Sequence, residues 1–171
     1  FPTLSSSPFS EIRKAVDICE KLMAEPDSPI LGLHVEGPYL NRKMAGEQFA
    51  NQVKEVDVAE YTSLLESTDC IKRWDASPEL PGALDFARYL KSKGIVGAVS
   101  HTEAEYDGIK EAYEAGFTHA AHFYNAMPGF HKRREYKYEG TVESVYLTDG
   151  MTIELIADGI HLPSTILKLA Y

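Results

Sequence analysis

Three stretches of this chain share one form: an apolar run of strand length that ends in a side chain able to bind a metal. They are Leu31-Gly32-Leu33-His34-Val35-Glu36-Gly37-Pro38, Ile95-Val96-Gly97-Ala98-Val99-Ser100-His101 and Phe117-Thr118-His119-Ala120-Ala121-His122, the last followed by a polar, turn-prone run to Pro128. Between and around them lie segments with helical spacing. One is Ile12, Ala15, Val16, Ile18, Cys19, Leu22 and Met23, with one face turned to a core. Short apolar runs that alternate with amphipathic helices predict parallel strands covered on both faces.

Further along, Ile71–Ala76 predicts a weaker strand, polar for a buried position, and Thr152–Ala157 predicts another. With the strand-like Phe1–Leu4 this makes about six strands alternating with helices, without internal repeat or low-complexity linker. Ser7-Pro8 reads as the start of the first helix. Asp57-Val58-Ala59-Glu60 and Thr102-Glu103-Ala104-Glu105 read as capping boxes. His131–Tyr138 reads as a loop rich in basic and aromatic residues.

Two architectures fit, an open doubly wound sheet and part of a (β/α)8 barrel. The barrel is favoured because polar or metal-competent residues end strand after strand, and no glycine-rich phosphate fingerprint follows the first strand. A whole barrel needs roughly 250 residues, and this chain has 171 and opens on Phe1. The expectation is a single unit, residues 1–171, forming the central part of a longer barrel without its first and last strands.

Partners are bounded by charge. The net charge is −9 and no basic run exceeds Lys132-Arg133-Arg134, which argues against nucleic acid. No apolar run approaches the roughly 20 residues of a membrane helix. Cys19 and Cys70 sit inside apolar patterns and read as buried thiols in a reducing, cytoplasmic setting.

Catalytic zinc commonly takes three protein ligands and leaves one position open. Glu36, His101 and His122 would supply two imidazoles and a carboxylate from three strand ends. A lone histidine at a strand end is more often a hydrogen-bonding group, so the signal lies in the convergence. His34 shares a face with Glu36 and reads either as a ligand or, preferably, as an outer partner that orients one. His119 has the opposite parity to His122 and is expected to face the helix layer. His131 is expected to be solvated. His161, after a strand and a glycine, is a pocket candidate. Lys132-Arg133-Arg134 is usually a solvated run, but beside a pocket it could hold a phosphate.

Four stretches carry a family resemblance. They are Gly32-Leu33-His34-Val35-Glu36-Gly37-Pro38-Tyr39-Leu40-Asn41, Ser100-His101-Thr102-Glu103-Ala104-Glu105-Tyr106, His119-Ala120-Ala121-His122-Phe123-Tyr124-Asn125-Ala126-Met127-Pro128 and Ile156-Ala157-Asp158-Gly159-Ile160-His161. In order and wording the chain resembles the N-acetylglucosamine-6-phosphate deacetylase family of the amidohydrolase superfamily.

The resemblance implies hydrolysis of the acetamide of N-acetylglucosamine 6-phosphate to glucosamine 6-phosphate and acetate. It puts Glu36, His101 and His122 on the family's metal ligands, with zinc or iron as the ion. It puts Asn125 and the Ala126 backbone on a phosphate-binding stretch, and Arg134 on a phosphate-contacting arginine that can reach across a homodimer interface. His161 falls on a substrate-contacting histidine. Gln48 falls where many members have a sugar-contacting histidine. The family's catalytic Asp aligns beyond Tyr171, so these residues alone are expected to be inactive. The alternative reading is a non-catalytic barrel piece that keeps a metal or sugar-phosphate site. A dihydroorotase-like amidohydrolase is a third, lowered because no lysine ends a strand convincingly.

Overall fold

A computed structural model describes residues 1–171. The elements follow the chain as β1 (Thr3–Leu4), α1 (Phe9–Met23), β2 (Leu33–Glu36), α2 (Val58–Leu65), β3 (Ile71–Ala76), α3 (Ala83–Ser92), β4 (Val96–Val99), α4 (Tyr106–Ala115) and β5 (Phe117–Ala120). Then come β6 (His131–Arg133), β7 (Tyr136–Tyr138), α5 (Thr141–Tyr146), β8 (Thr152–Ile153) and α6 (Ser164–Ala170).

Six strands form one parallel sheet in the order β1-β2-β3-β4-β5-β8. Each new strand is added on the same side, with no reversal of order. A doubly wound sheet reverses at its switch point, whereas a (β/α)8 barrel advances in one sense. The sheet is therefore a sector of such a barrel, its helices outside and its other face concave.

Strand alternation sorts the side chains between these faces. On β3, Trp74 and Ala76 enter the layer under the helices, while Arg73 and Asp75 turn to the concave side. Trp74 is fully buried, stacks on Tyr39 at 5.9 Å and meets Phe86 edge-on at 5.3 Å. Its indole N–H donates to the Gly37 carbonyl at 2.8 Å, so the one polar atom of this large ring is satisfied where the chain leaves β2. On α1, Ile12, Val16 and Cys19 supply the buried stripe, and on α4 Ile109, Ala112 and Ala115 do the same. Burying a large apolar side chain stabilises by about 1.5–3 kcal/mol, and these residues belong to one continuous core.

Local readings are corrected in four places. The cap position of α1 is Pro8, without a side-chain cap bond, rather than Ser7. Thr102 does not cap α4, whose N-cap is Glu105. Its hydroxyl is drawn instead to Glu79 and to the Ala104 N–H. The segment from His131 is an antiparallel hairpin, β6 with β7, not a loop. Its last-paired residues, Arg133 and Tyr136, flank a two-residue turn in which Arg134 has φ +53°. Finally, β8 spans Thr152–Ile153 only. Asp57 does cap α2, accepting the Glu60 N–H at 3.1 Å. Both cysteines are buried and free, and no helix is long and apolar enough to cross a membrane.

Candidate metal centre

Glu36 ends β2, His101 lies two residues beyond β4, and His122 two beyond β5. Parallel strands bring these ends to one rim, and the ligand atoms of the three side chains all lie within 4.8 Å of one another. His101 Nε2 is 3.0 Å from Glu36 Oε1, and His122 Nε2 is 3.3 Å from the same oxygen. The imidazoles meet edge to face at 4.7 Å.

The second ring nitrogen of each histidine decides what the first can do. His101 Nδ1 lies 2.8 Å from the Met44 carbonyl, and His122 Nδ1 lies 3.1 Å from the Asn125 carbonyl. A carbonyl only accepts, so Nδ1 carries the proton and Nε2 of the neutral ring offers a lone pair. Two lone pairs and a carboxylate then converge with no donor between them. His122 Nε2 is buried and makes no hydrogen bond. Such a convergence calls for a cation, either a shared proton or a metal ion. Two imidazoles and a carboxylate suit a divalent ion such as zinc or iron.

The titration behaviour has the same origin. Burial works to raise the Glu36 pKa, but the neighbouring His101 and His122 outweigh it and hold the carboxyl below the ordinary carboxylate range. Burial works to lower the His122 pKa, and the adjacent Glu36 carboxylate outweighs it, so His122 is raised.

Backbone strain gathers at this rim. Six residues other than glycine have positive φ, and four of them are here: His101 (+45°), His122 (+33°), Tyr124 (+77°) and Ala126 (+52°). Such conformations persist only where surrounding contacts over-determine them. Those contacts are present. The Ser77 hydroxyl accepts the Asn41 N–H at 2.7 Å and reaches the His101 carbonyl at 2.7 Å. Glu79 accepts from the Asn41 side chain at 2.7 Å and from the Glu103 N–H at 2.9 Å, and also takes the Thr102 hydroxyl. Ser77 and Glu79 thus bind together the loops that follow β2, β3 and β4.

A cavity of about 390 Å³ opens above the three ligands and is lined also by Gln48, Asn125, Ala126 and His161. The Gln48 carbonyl oxygen accepts the Ser6 N–H at 2.8 Å, which leaves its amino group as the free end. Asn125 donates to the His122 carbonyl at 3.1 Å. His161 Nδ1 is paired with Asp158 at 2.8 Å. Asp158 also accepts two backbone N–H groups, from His161 and Ile160, and these bonds lower its pKa to about 2.

Arg134 is exposed at the tip of the β6–β7 hairpin and is absent from the cavity lining. His34 stands beside Asp75 rather than in the ligand set, with Nε2 at 2.9 Å from Asp75 Oδ1. His119 does not enter the helix layer. It bonds Thr152 at 2.8 Å near Arg73, and burial followed by that cation lowers its pKa. The parity argument failed because the strand ends at Ala120 and the chain turns before His122. His131 is half-buried, with Nδ1 3.0 Å from the Gly129 carbonyl.

Comparison with known proteins places this geometry. No family model matches the chain. It is 35% identical over 143 residues to an N-acetylglucosamine-6-phosphate deacetylase of Bacillus subtilis, covering 83% of this chain and 35% of that protein. It is 30% identical over 174 residues to an N-acetylgalactosamine-6-phosphate deacetylase of Escherichia coli O157:H7, covering 98% of this chain and 44% of that protein. The crystal structure of the N-acetylglucosamine-6-phosphate deacetylase from Pasteurella multocida superposes with a TM-score of 0.90 at 28% identity, over 99% of this chain and 44% of that one. The chain thus spans less than half the length of these relatives.

Proposed function

This chain belongs to the N-acetylglucosamine-6-phosphate deacetylase family over the segment it spans, and from that premise we propose that the protein removes the acetyl group of N-acetylglucosamine 6-phosphate by metal-assisted hydrolysis. The observation that carries the reading is the convergence of His101 Nε2, His122 Nε2 and Glu36 with no hydrogen-bond donor between them. We propose zinc as the ion. Once held there, it supplies Lewis acidity towards an amide carbonyl and acidifies a water.

The chain's own groups do the rest. The Met44 and Asn125 carbonyls fix both imidazole tautomers, so the lone pairs aim into the cavity. Asp158 holds the His161 ring by Nδ1, which leaves the Nε2 lone pair available to a substrate hydroxyl. The free amino group of Gln48 offers a donor to the sugar. Asn125 and the Ala126 backbone form the turn assigned to the phosphate. Arg134 at the hairpin tip is assigned to the phosphate of a substrate bound by a second copy, which makes a homodimer the proposed assembly. A cytoplasmic setting suits two free buried thiols.

Residues 1–171 alone are proposed to be inactive, because the carboxylates near the ligands are already engaged. Asp75 and Glu154 pair with Arg73, and Asp158 pairs with His161. Glu47 lines the cavity but is exposed to solvent. A positioned acid–base group contributes about 10²–10⁴-fold, and no carboxylate here is both held in place and unpaired. The test is acetate release from N-acetylglucosamine 6-phosphate by the zinc-loaded protein at its native length, beside residues 1–171. Turnover by the first and none by the second is expected. No turnover by the first rejects the activity, and equal turnover rejects the proposed incompleteness.

A further inference from the structure

A line of paired charges, buried at Asp75 and open to solvent at Glu154, runs along the concave face behind the candidate metal ligands, and the proposed reaction makes no use of it. Asp75, fully buried on β3, accepts from Arg73 Nε at 2.9 Å and from Nη2 at 3.3 Å. Arg73 Nη1 continues to Glu154 Oε2 at 2.6 Å. The other Glu154 oxygen accepts the backbone N–H of His122 at 3.4 Å. At the far end His34 Nε2 stands 2.9 Å from Asp75 Oδ1, and His34 Nδ1 lies 3.0 Å from the Thr3 hydroxyl.

The two ends of this line lie next to candidate metal ligands. His34 precedes Glu36 by two positions on the same face of β2, and Glu154 meets the backbone of His122. Asp75, out of water, requires a counter-charge, and Arg73 supplies it while also reaching the exposed Glu154. Its guanidinium is planar, with donors in a rigid fork, so it fixes the angle between its partners as well as neutralising them. A lysine would supply the charge without the angle.

We propose that Arg73 is a positioning residue for the metal centre, holding Asp75 behind Glu36 and Glu154 beneath His122 so that the two ligands keep their mutual geometry. The inference rests on the metal reading given above. An interaction network that merely braced the sheet would affect melting temperature and leave metal affinity and ligand geometry alone.

The experiment measures zinc affinity by chelator competition and the visible spectrum of the cobalt(II) form, using the protein at its native length. Arg73→Met is expected to weaken zinc binding by about 10–100-fold, the usual range for residues that orient a ligand, and to shift the cobalt bands. Arg73→Lys is expected to recover part of the affinity. Wild-type affinity and an unshifted spectrum in Arg73→Met overturn the proposal, whatever happens to the melting temperature. Should that variant not fold, Glu154→Gln carries the test, with a several-fold loss expected and unchanged binding overturning it. A wild-type protein that binds no zinc overturns the metal centre itself, an outcome distinct from a failure of Arg73 alone.

Discussion

His101 Nε2 and Glu36 Oε1 stand 3.0 Å apart although 65 residues of chain separate them. The parallel sheet makes this meeting possible, since β2 and β4 both flank β3 and end at one rim. Substituting His101, His122 or Glu36 removes one of three candidate ligands. Each of His101→Ala, His122→Ala and Glu36→Gln is therefore expected to lose most of its bound metal while keeping its helical content. Elemental analysis beside circular dichroism checks this. A full complement of metal in any of the three removes that residue from the ligand set.

Metal binding at neutral pH should release protons. The sign follows from His122, whose pKa in the metal-free fold is raised by Glu36. In that fold the group retains a proton to higher pH than in the unfolded chain. Its stabilising contribution is complete below the unfolded value of about 6.5 and is lost as pH rises through the folded one. A metal ion needs the neutral ring, so it displaces this proton. Calorimetry in buffers of different ionisation enthalpy is expected to show net proton release near pH 7, diminishing at higher pH. Release independent of pH would show that His122 is not the group that yields.

Asp158 gives the opposite sign. Its pKa is lowered to about 2 by two backbone N–H groups and by His161. The order it imposes on residues 158–161 is expected to be complete above the ordinary carboxylate value of about 4 and to fade as pH falls towards 2. Amide exchange of Ile160 and His161 reads it. Asp158→Ala should expose both amides at neutral pH, and unchanged protection in that variant would sink the assignment.

Arg134 extends from the hairpin tip, outside the cavity lining. If it reads the phosphate, Arg134→Ala raises KM for the 6-phosphate sugar far more than for the unphosphorylated one, with kcat little changed. Equal effects on the two substrates would mean that it does not contact the phosphate.

The core makes a prediction free of any functional reading. Phe86 is fully buried against Tyr39, Tyr61 and Trp74. Phe86→Ala removes a ring from a closely packed aromatic group and is expected to cost about 3–5 kcal/mol, measured by urea unfolding. A loss below about 1 kcal/mol would mean that the surrounding rings collapse into the space.

Much of the rim was legible because each candidate ligand closes an apolar run, and strands that run parallel must end together. The groups that aim the ligands were not legible. Met44 and Asn125 act through backbone carbonyls, which every residue possesses, so no side-chain pattern marks them. The β3 segment read as a poor strand because Arg73 and Asp75 are polar. In the fold they neutralise each other on the concave face, which a single-strand pattern does not reveal. His119 was misplaced because strict alternation was carried past the end of β5. The β6–β7 hairpin was missed because its short strands carry exposed, mixed side chains with no apolar face to give the period.

The order of strands in the sheet also sets a timetable. Every candidate ligand lies within β2 to β5 and the turns that follow them, four neighbouring strands that are consecutive in the chain. The last ligand to be synthesised is His122, 86 residues after Glu36 (122 − 36). At a synthesis rate of about 5–20 residues per second, that interval is roughly 4–17 seconds. The three candidate ligands are thus all present in the chain before β8 and α6, and the segment carrying Glu154, which braces His122, is added last.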